Sequence, residues 1–169
     1  GSDSEALLHY FQRKGEDAIL RNVPGAYTCA IASVNEDNVI VLRDRAGIMS
    51  GVLGEKGGRK VVASEDIAIK KEGGKYLEDL TPGCVYYLTP SGDVILNKVV
   101  EPQRKHCHFG WTYLADPESI LDELPVRVVR QRKGRALAEE FPLTHVDFVT
   151  HVPQSPEMAA RTYASSTGI

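Results

Sequence analysis

Cysteine is scarce in this chain: 169 residues contain three, Cys29, Cys84 and Cys107. So odd and sparse a set is no disulfide framework, and its spacing fits no structural zinc site. Reduced thiols of this kind point to a cytoplasmic setting. There is no apolar run of the roughly 18 residues that a membrane helix requires. The opening Gly1-Ser2-Asp3-Ser4-Glu5 lacks the basic and apolar blocks of a secretory signal. Net charge is −3, so no basic excess calls for nucleic acid. Internal repeats and low-complexity segments are missing too. What remains is 42% hydrophobic and 25% charged residues, the composition of a folded chain with room for one domain or pieces of two.

The hydrophobic pattern changes twice. Leu7, Leu8, Phe11 and Ile19 recur at helical spacing, with Ser2 or Asp3 as cap and Gly15 as an interruption that ends the helix near Lys14. From Ala26 to about Val100 the pattern is that of short strands. Tyr27–Ala32 and Val39–Arg43 form a predicted hairpin across Asn35–Asn38, and further strands are expected at Ile48–Leu53, Lys60–Ala63, Val85–Thr89 and Val94–Val99. A short helix is expected after Ser64 or Glu65, with Ser64 as cap. This part reads as an antiparallel sheet with one face covered.

The polar run Pro102-Gln103-Arg104-Lys105 marks a domain junction, giving domains 1–104 and 105–169. Beyond it, Val126–Glu140 predicts a helix, Val146–Val152 a strand, Pro153–Pro156 a loop and Glu157–Ser165 a second helix. Helix, strand, loop, helix is the opening of an α/β domain with a parallel sheet, of which one strand is only a part. Arg127, Arg130, Arg132, Lys133 and Arg135 make a basic run on the first of these helices. With no aromatic or groove-reading companions and with Glu139 and Glu140 following, it reads as a solvated face. His106-Cys107-His108 offers too few ligands for a structural metal site.

Seven strings in a fixed order resemble amidophosphoribosyltransferases. Asp3-Ser4-Glu5-Ala6-Leu7-Leu8 resembles that family's D-S-E-x-L-L, and Gly25-Ala26-Tyr27 its G-A-Y strand. Arg43-Asp44-Arg45-Ala46-Gly47-Ile48 resembles the start of R-D-P-x-G-I-R-P-L, Val62-Ala63-Ser64-Glu65 matches V-A-S-E, and Pro82-Gly83 matches a P-G-E turn. Cys107–Ser119 resembles C-x-F-E-x-x-Y-x-A-R-P-D-S, the string that joins a glutaminase half to a transferase half, and Val152-Pro153-Gln154-Ser155 resembles V-P-D-S. The chain departs from the pattern at Met49-Ser50 in place of Arg-Pro, at Gly110 in place of Glu, and at Gln154 in place of Asp.

The resemblance implies an α+β fold: the later part of an N-terminal-nucleophile αββα glutaminase domain, followed by the start of an α/β phosphoribosyltransferase domain. It implies a glutamine-dependent enzyme that makes 5-phosphoribosylamine from glutamine, phosphoribosyl pyrophosphate and water, the first step of purine biosynthesis. It further implies glutamine and phosphoribosyl pyrophosphate as ligands, magnesium as cofactor, a homodimer or homotetramer, and no nucleic-acid or membrane partner. In that family the thiol of a first-residue Cys attacks glutamine. Residue 1 here is Gly, and no acidic-pair loop for phosphoribosyl pyrophosphate follows, so the chain by itself is expected to be inactive with no catalytic residue of its own. Asp3 is implied as acceptor for the α-ammonium of glutamine, its plain alternative being a helix cap. Pro153, Gln154 and Ser155 are implied as a pyrophosphate-side loop, the alternative being a turn with Ser155 as cap. Cys107 stands where some members place one ligand of an iron–sulfur cluster, which needs four thiolates. A second reading is a degenerate, non-catalytic relative acting as a scaffold or regulatory binding module.

Overall fold

The computed structural model describes residues 1–143 and 145–169, and they divide into two compact units, Gly1–His106 and Cys107–Ile169. The polar run at 102–105 ends just before this division.

The first unit opens with α1 (Asp3–Lys14) and α2 (Glu16–Asn22). Ser2, and not Asp3, is the cap of α1: its hydroxyl accepts from the Glu5 amide while the Glu5 carboxylate accepts from the Ser2 amide. Gly15 ends α1, with its amide donating back to the Phe11 carbonyl.

The strands follow: β1 (Thr28–Ser33), β2 (Glu36–Arg43), β3 (Val52–Lys56), β4 (Arg59–Ala63), then α3 (Asp66–Lys71), β5 (Lys75–Asp79), β6 (Cys84–Leu88) and β7 (Val94–Lys98). They build two antiparallel sheets, in the orders β1-β2-β6-β7 and β4-β3-β5, as the resemblance implied, where the hydrophobic pattern alone suggested one. The reason lies in β2. Ile40 and Leu42 point to one side, where Ile19 and Leu20 of α2 join Val85 in a core that also takes Leu7 and Phe11 of α1. Val41 points to the other side and packs with Leu53, Leu80, Cys84 and Tyr86. A strand that is apolar on both faces must be covered on both. The second sheet covers one face and α1 with α2 the other, while α3 lies on the far side of the second sheet. The result is a four-layer αββα sandwich.

Local differences from the sequence reading have simple causes. The hairpin turn is Val34-Asn35, and β2 already begins at Glu36. Residues 48–51 are not strand; they belong to the loop that precedes β3. Glu65, not Ser64, precedes α3, and no side chain caps that helix. β5 is legible only through the ladder it makes with β3, since Lys75-Tyr76-Leu77-Glu78-Asp79 is too charged to read as a strand.

The second unit contains a π-helical turn, Gly110–Leu114, a two-residue ribbon of β8 (Ile120–Leu121) and β9 (Leu124–Pro125), and the helices α4 (Val126–Glu140) and α5 (Glu157–Thr167). Its core gathers Trp111, Ala115, Leu121 and Val126. The basic run on α4 is not uniformly solvated: Arg130 is 3% exposed and donates to the carbonyls of Trp111 (2.9 Å) and Ala115 (2.8 Å), Lys133 bonds Thr112, and Arg127 pairs with Glu118. Residues 146–152 do not form the expected strand. A strand needs a neighbour for its amides and carbonyls, and none of the described strands lies beside this segment. Phe148 and Val152 are exposed, at 75% and 80%.

Candidate functional site

A groove of about 560 Å³ opens in the first unit between α1 and the outer edge of β1. α1 contributes Asp3, Leu7 and Leu8, the strand Tyr27 to Ala32, and the following loop Met49. β1 pairs on one side only, with β2. The alternate amides and carbonyls of its other edge therefore face this groove.

Three sets of bonds fix its walls. Asp44 Oδ2 accepts from the Tyr27 amide at 3.1 Å, while Oδ1 accepts from the amides of Ala46 and Gly47. Arg43, 1% exposed, donates from Nε to the Met49 carbonyl (2.9 Å), from Nη1 to that of Leu80 (2.7 Å) and from Nη2 to that of Gly47 (2.8 Å). Thr28 Oγ1 adds a second donor, from β1, to the Met49 carbonyl at 3.1 Å. With its carbonyl held from inside, Met49 presents its side chain to the groove. Gly47 makes the turn possible: its φ is +63°, and a Cβ there would stand 2.5 Å from Pro82 Cγ.

The electrostatics follow from this layout. Asp3 is the one charged residue among the described residues that line the groove. Since Ser2 caps α1, the Asp3 carboxylate is left to face the groove. Burial pushes the Cys29 thiol up to about 11. Burial first, and then the Asp44 carboxylate, push the Tyr27 hydroxyl up to about 12, and that hydroxyl donates to the carbonyls of Ile19 and Val23. Near neutral pH neither group is an anion.

The other residues singled out in the sequence lie in the second unit. Pro153, Gln154 and Ser155 precede α5, whose cap position is Pro156 and not Ser155. The Ser155 hydroxyl donates to the Tyr113 carbonyl at 3.2 Å, so it is spent within the unit, and no strand leads into this loop. Cys107 is a half-buried free thiol, Cys84 is buried between the sheets and Cys29 lines the groove. No three His, Cys, Asp or Glu side chains gather among the described residues. A cluster would take four thiolates and a magnesium cage several carboxylates, and among the described residues no such group is gathered. Sequence reasoning missed Tyr27, Met49 and the Asp44 bonds as parts of the groove, although Arg43-Asp44 and Gly47 were in view as a motif.

Residues 1–90 match the family model described as a glutamine amidotransferase domain. The chain belongs to this glutamine amidotransferase family. It is similar to the amidophosphoribosyltransferase of Methanothermobacter thermautotrophicus, 30% identical over 177 residues, which cover 99% of this chain and 37% of the relative. The corresponding figures for the amidophosphoribosyltransferase of Bacillus subtilis are 33% identity, 99% and 36%. Among solved structures, the glutamine phosphoribosylpyrophosphate amidotransferase of B. subtilis complexed with ADP and GMP superposes with a TM-score of 0.90 at 32% identity, over 100% of this chain and 38% of the other. The chain thus spans a little over a third of the length of these relatives, and the α+β architecture expected from the sequence is that of its structural neighbours.

Proposed function

We propose that this chain is the part of a glutamine-dependent amidophosphoribosyltransferase that shapes the glutamine side of the enzyme and begins its transferase side. The observation that carries the reading is that similarity to amidophosphoribosyltransferases runs through both compact units at a TM-score of 0.90, and not through the glutaminase-like unit alone. The complete protein converts glutamine, phosphoribosyl pyrophosphate and water to 5-phosphoribosylamine, glutamate and pyrophosphate. Ammonia freed from the glutamine amide displaces pyrophosphate.

In this reading Asp3 accepts the ammonium of glutamine, since a carboxylate facing a partly dry groove is the right group for a cation. With Ser2 as cap, the cap-only account of Asp3 loses its support. Pro153, Gln154 and Ser155 belong to the pyrophosphate side, with backbone amides as the donors left to the ligand. Magnesium accompanies the pyrophosphate group, the setting is cytoplasmic, and the complete enzyme is a homo-oligomer; Cys107 alone does not hold a cluster. The 169 residues by themselves do not turn over glutamine. A thiol held at about 11, like that of Cys29, has almost no thiolate near neutral pH and is a poor nucleophile.

The test is an assay of the complete polypeptide with glutamine, phosphoribosyl pyrophosphate and magnesium. Glutamate and pyrophosphate should form in equal amounts, and Asp3→Asn should raise the glutamine requirement. Absence of both products from a folded, complete protein would favour a non-catalytic scaffold. Glutamine turnover by the 169-residue chain would refute the inactivity assigned to it.

A further inference from the structure

α3 is seated unevenly on the second sheet. Ile69 makes the tight contact: it is 4% exposed, and a Cβ added at Gly54 or Gly74 would stand 2.7 or 2.8 Å from its side chain. Two glycines thus let the helix press onto β3 and the turn before β5. Toward β4 the side chains are short. Ala68 of α3 and Val61 and Ala63 of β4 line a hollow of about 230 Å³. Lys56 and Glu72 line it too, with Lys56 Nζ 3.0 Å from Glu72 Oε2. The side chains of that pair are 49% and 74% exposed. An apolar body is therefore joined to a cation and an anion held side by side, the usual make-up of a small-molecule site. The hollow shares no lining residue with the groove at β1.

An exposed ion pair is worth little, so opening this one costs little. A zwitterion can enter between its halves. The ligand's ammonium then meets Glu72 and its carboxylate meets Lys56, so every charge keeps a partner. An α-amino acid has the matching form, because its two charged groups sit on one carbon. Its side chain lies in the hollow, where alkyl surface gains by leaving water. An alkylamine or an alkyl carboxylate fills the same space but leaves Lys56 or Glu72 without a partner. We propose that the hollow beneath α3 binds a free aliphatic α-amino acid. The proposal is independent of the glutamine reading of the groove.

The measurement is calorimetric titration of the complete polypeptide with L-leucine, 3-methylbutylamine and 4-methylpentanoate. The last two keep leucine's branched chain and one charge each. Leucine should bind about three- to fivefold more tightly than either. Glu72→Gln should bring leucine to the level of 4-methylpentanoate, and Lys56→Gln to that of 3-methylbutylamine. Ala68→Leu, and separately Ala63→Leu, should fill the hollow and abolish binding of all three, with circular dichroism checking each fold. Asp3→Asn should leave the affinity for leucine unchanged, which separates this site from the groove. Failure of leucine to bind overturns the proposal, as does an analogue that binds as tightly. Leucine binding that persists in a folded filling variant, or that weakens in Asp3→Asn, places the ligand elsewhere and overturns it as well.

Discussion

Arg43 donates from Nε to the carbonyl of Met49 at 2.9 Å, and this bond ties the wall of the groove to the middle of the sandwich. The same guanidinium serves Gly47 and Leu80. Arg43→Met should keep the volume and lose all three donors, leaving the Leu80 and Gly47 carbonyls without them while the Met49 carbonyl keeps the Thr28 hydroxyl. We expect a loss of about 2 kcal/mol or more, because each buried acceptor left unpaired costs on the order of 1–3 kcal/mol. Urea unfolding followed by far-ultraviolet circular dichroism measures it; an unchanged midpoint would show that water replaces the guanidinium without penalty.

Alkaline pH should weaken the first unit. Tyr27 and Cys29 are neutral when protonated, and burial holds their protons to about 12 and about 11, against ordinary values of 10.0 and 9.0. As pH rises through 9 and 10 the unfolded chain releases protons that the folded chain keeps, so stability falls with pH. The contribution is whole below the ordinary values and gone above the raised ones. Tyr27→Phe should flatten the fall between pH 10 and 12, whatever it does to stability at pH 8. Urea midpoints at one-unit intervals from pH 8 to 12 give the slope, and an identical slope in the variant would exclude Tyr27 as its source.

Gly134 on α4 faces the backbone of Ala159 on α5, and a Cβ at 134 would fall well inside contact distance of the Ala159 carbonyl oxygen. Gly134→Ala improves the intrinsic helix propensity of α4 but forces the two helices apart. Overpacking of this kind costs about 1–3 kcal/mol, more than the propensity returns. The variant should therefore unfold at lower urea than the parent. A gain in stability would mean that α5 shifts freely.

Trp111 is the single tryptophan of the chain and sits in the core of the second unit, where Arg130 donates to its carbonyl. Arg130→Met should remove two buried donors and loosen this unit by roughly 2–4 kcal/mol. Tryptophan emission should then shift to the red at lower urea than the loss of strand signal from the first unit. Coincident transitions would mean that the two units unfold together.

Much of the first unit was legible because its signals are local. Ser2 with Glu5 is a capping box, Gly15 a stop, and Ile40-Val41-Leu42 an apolar run with turn residues before it. The division of the strands into two sheets was legible through the resemblance, which implied an αββα sandwich, but not through the strand pattern itself. It depends on which faces of β2 meet which partners, and a run that is apolar on both sides does not name them. β5 escaped because a mostly charged edge strand carries no alternating pattern. The segment 146–152 shows the converse: Val146, Phe148 and Val152 have strand composition, but composition cannot supply a hydrogen-bonding neighbour. At the groove, Asp3 was visible through its motif. Met49 stood out only as a mismatch, and its place on the wall comes from bonds made by Arg43 and Thr28, one of them 21 positions away in sequence.

The loop bearing Met49 hangs from β2, whose last residues are occupied on both of their sides. Almost any exchange at Val41 or Leu42 disturbs one layer or the other, whereas the Met49 side chain is 45% exposed and only its carbonyl is tied inward, by Arg43 and Thr28. Mutational drift is thereby channelled: the anchor resists change, and the recognition chemistry a few residues away can be retuned at little structural cost.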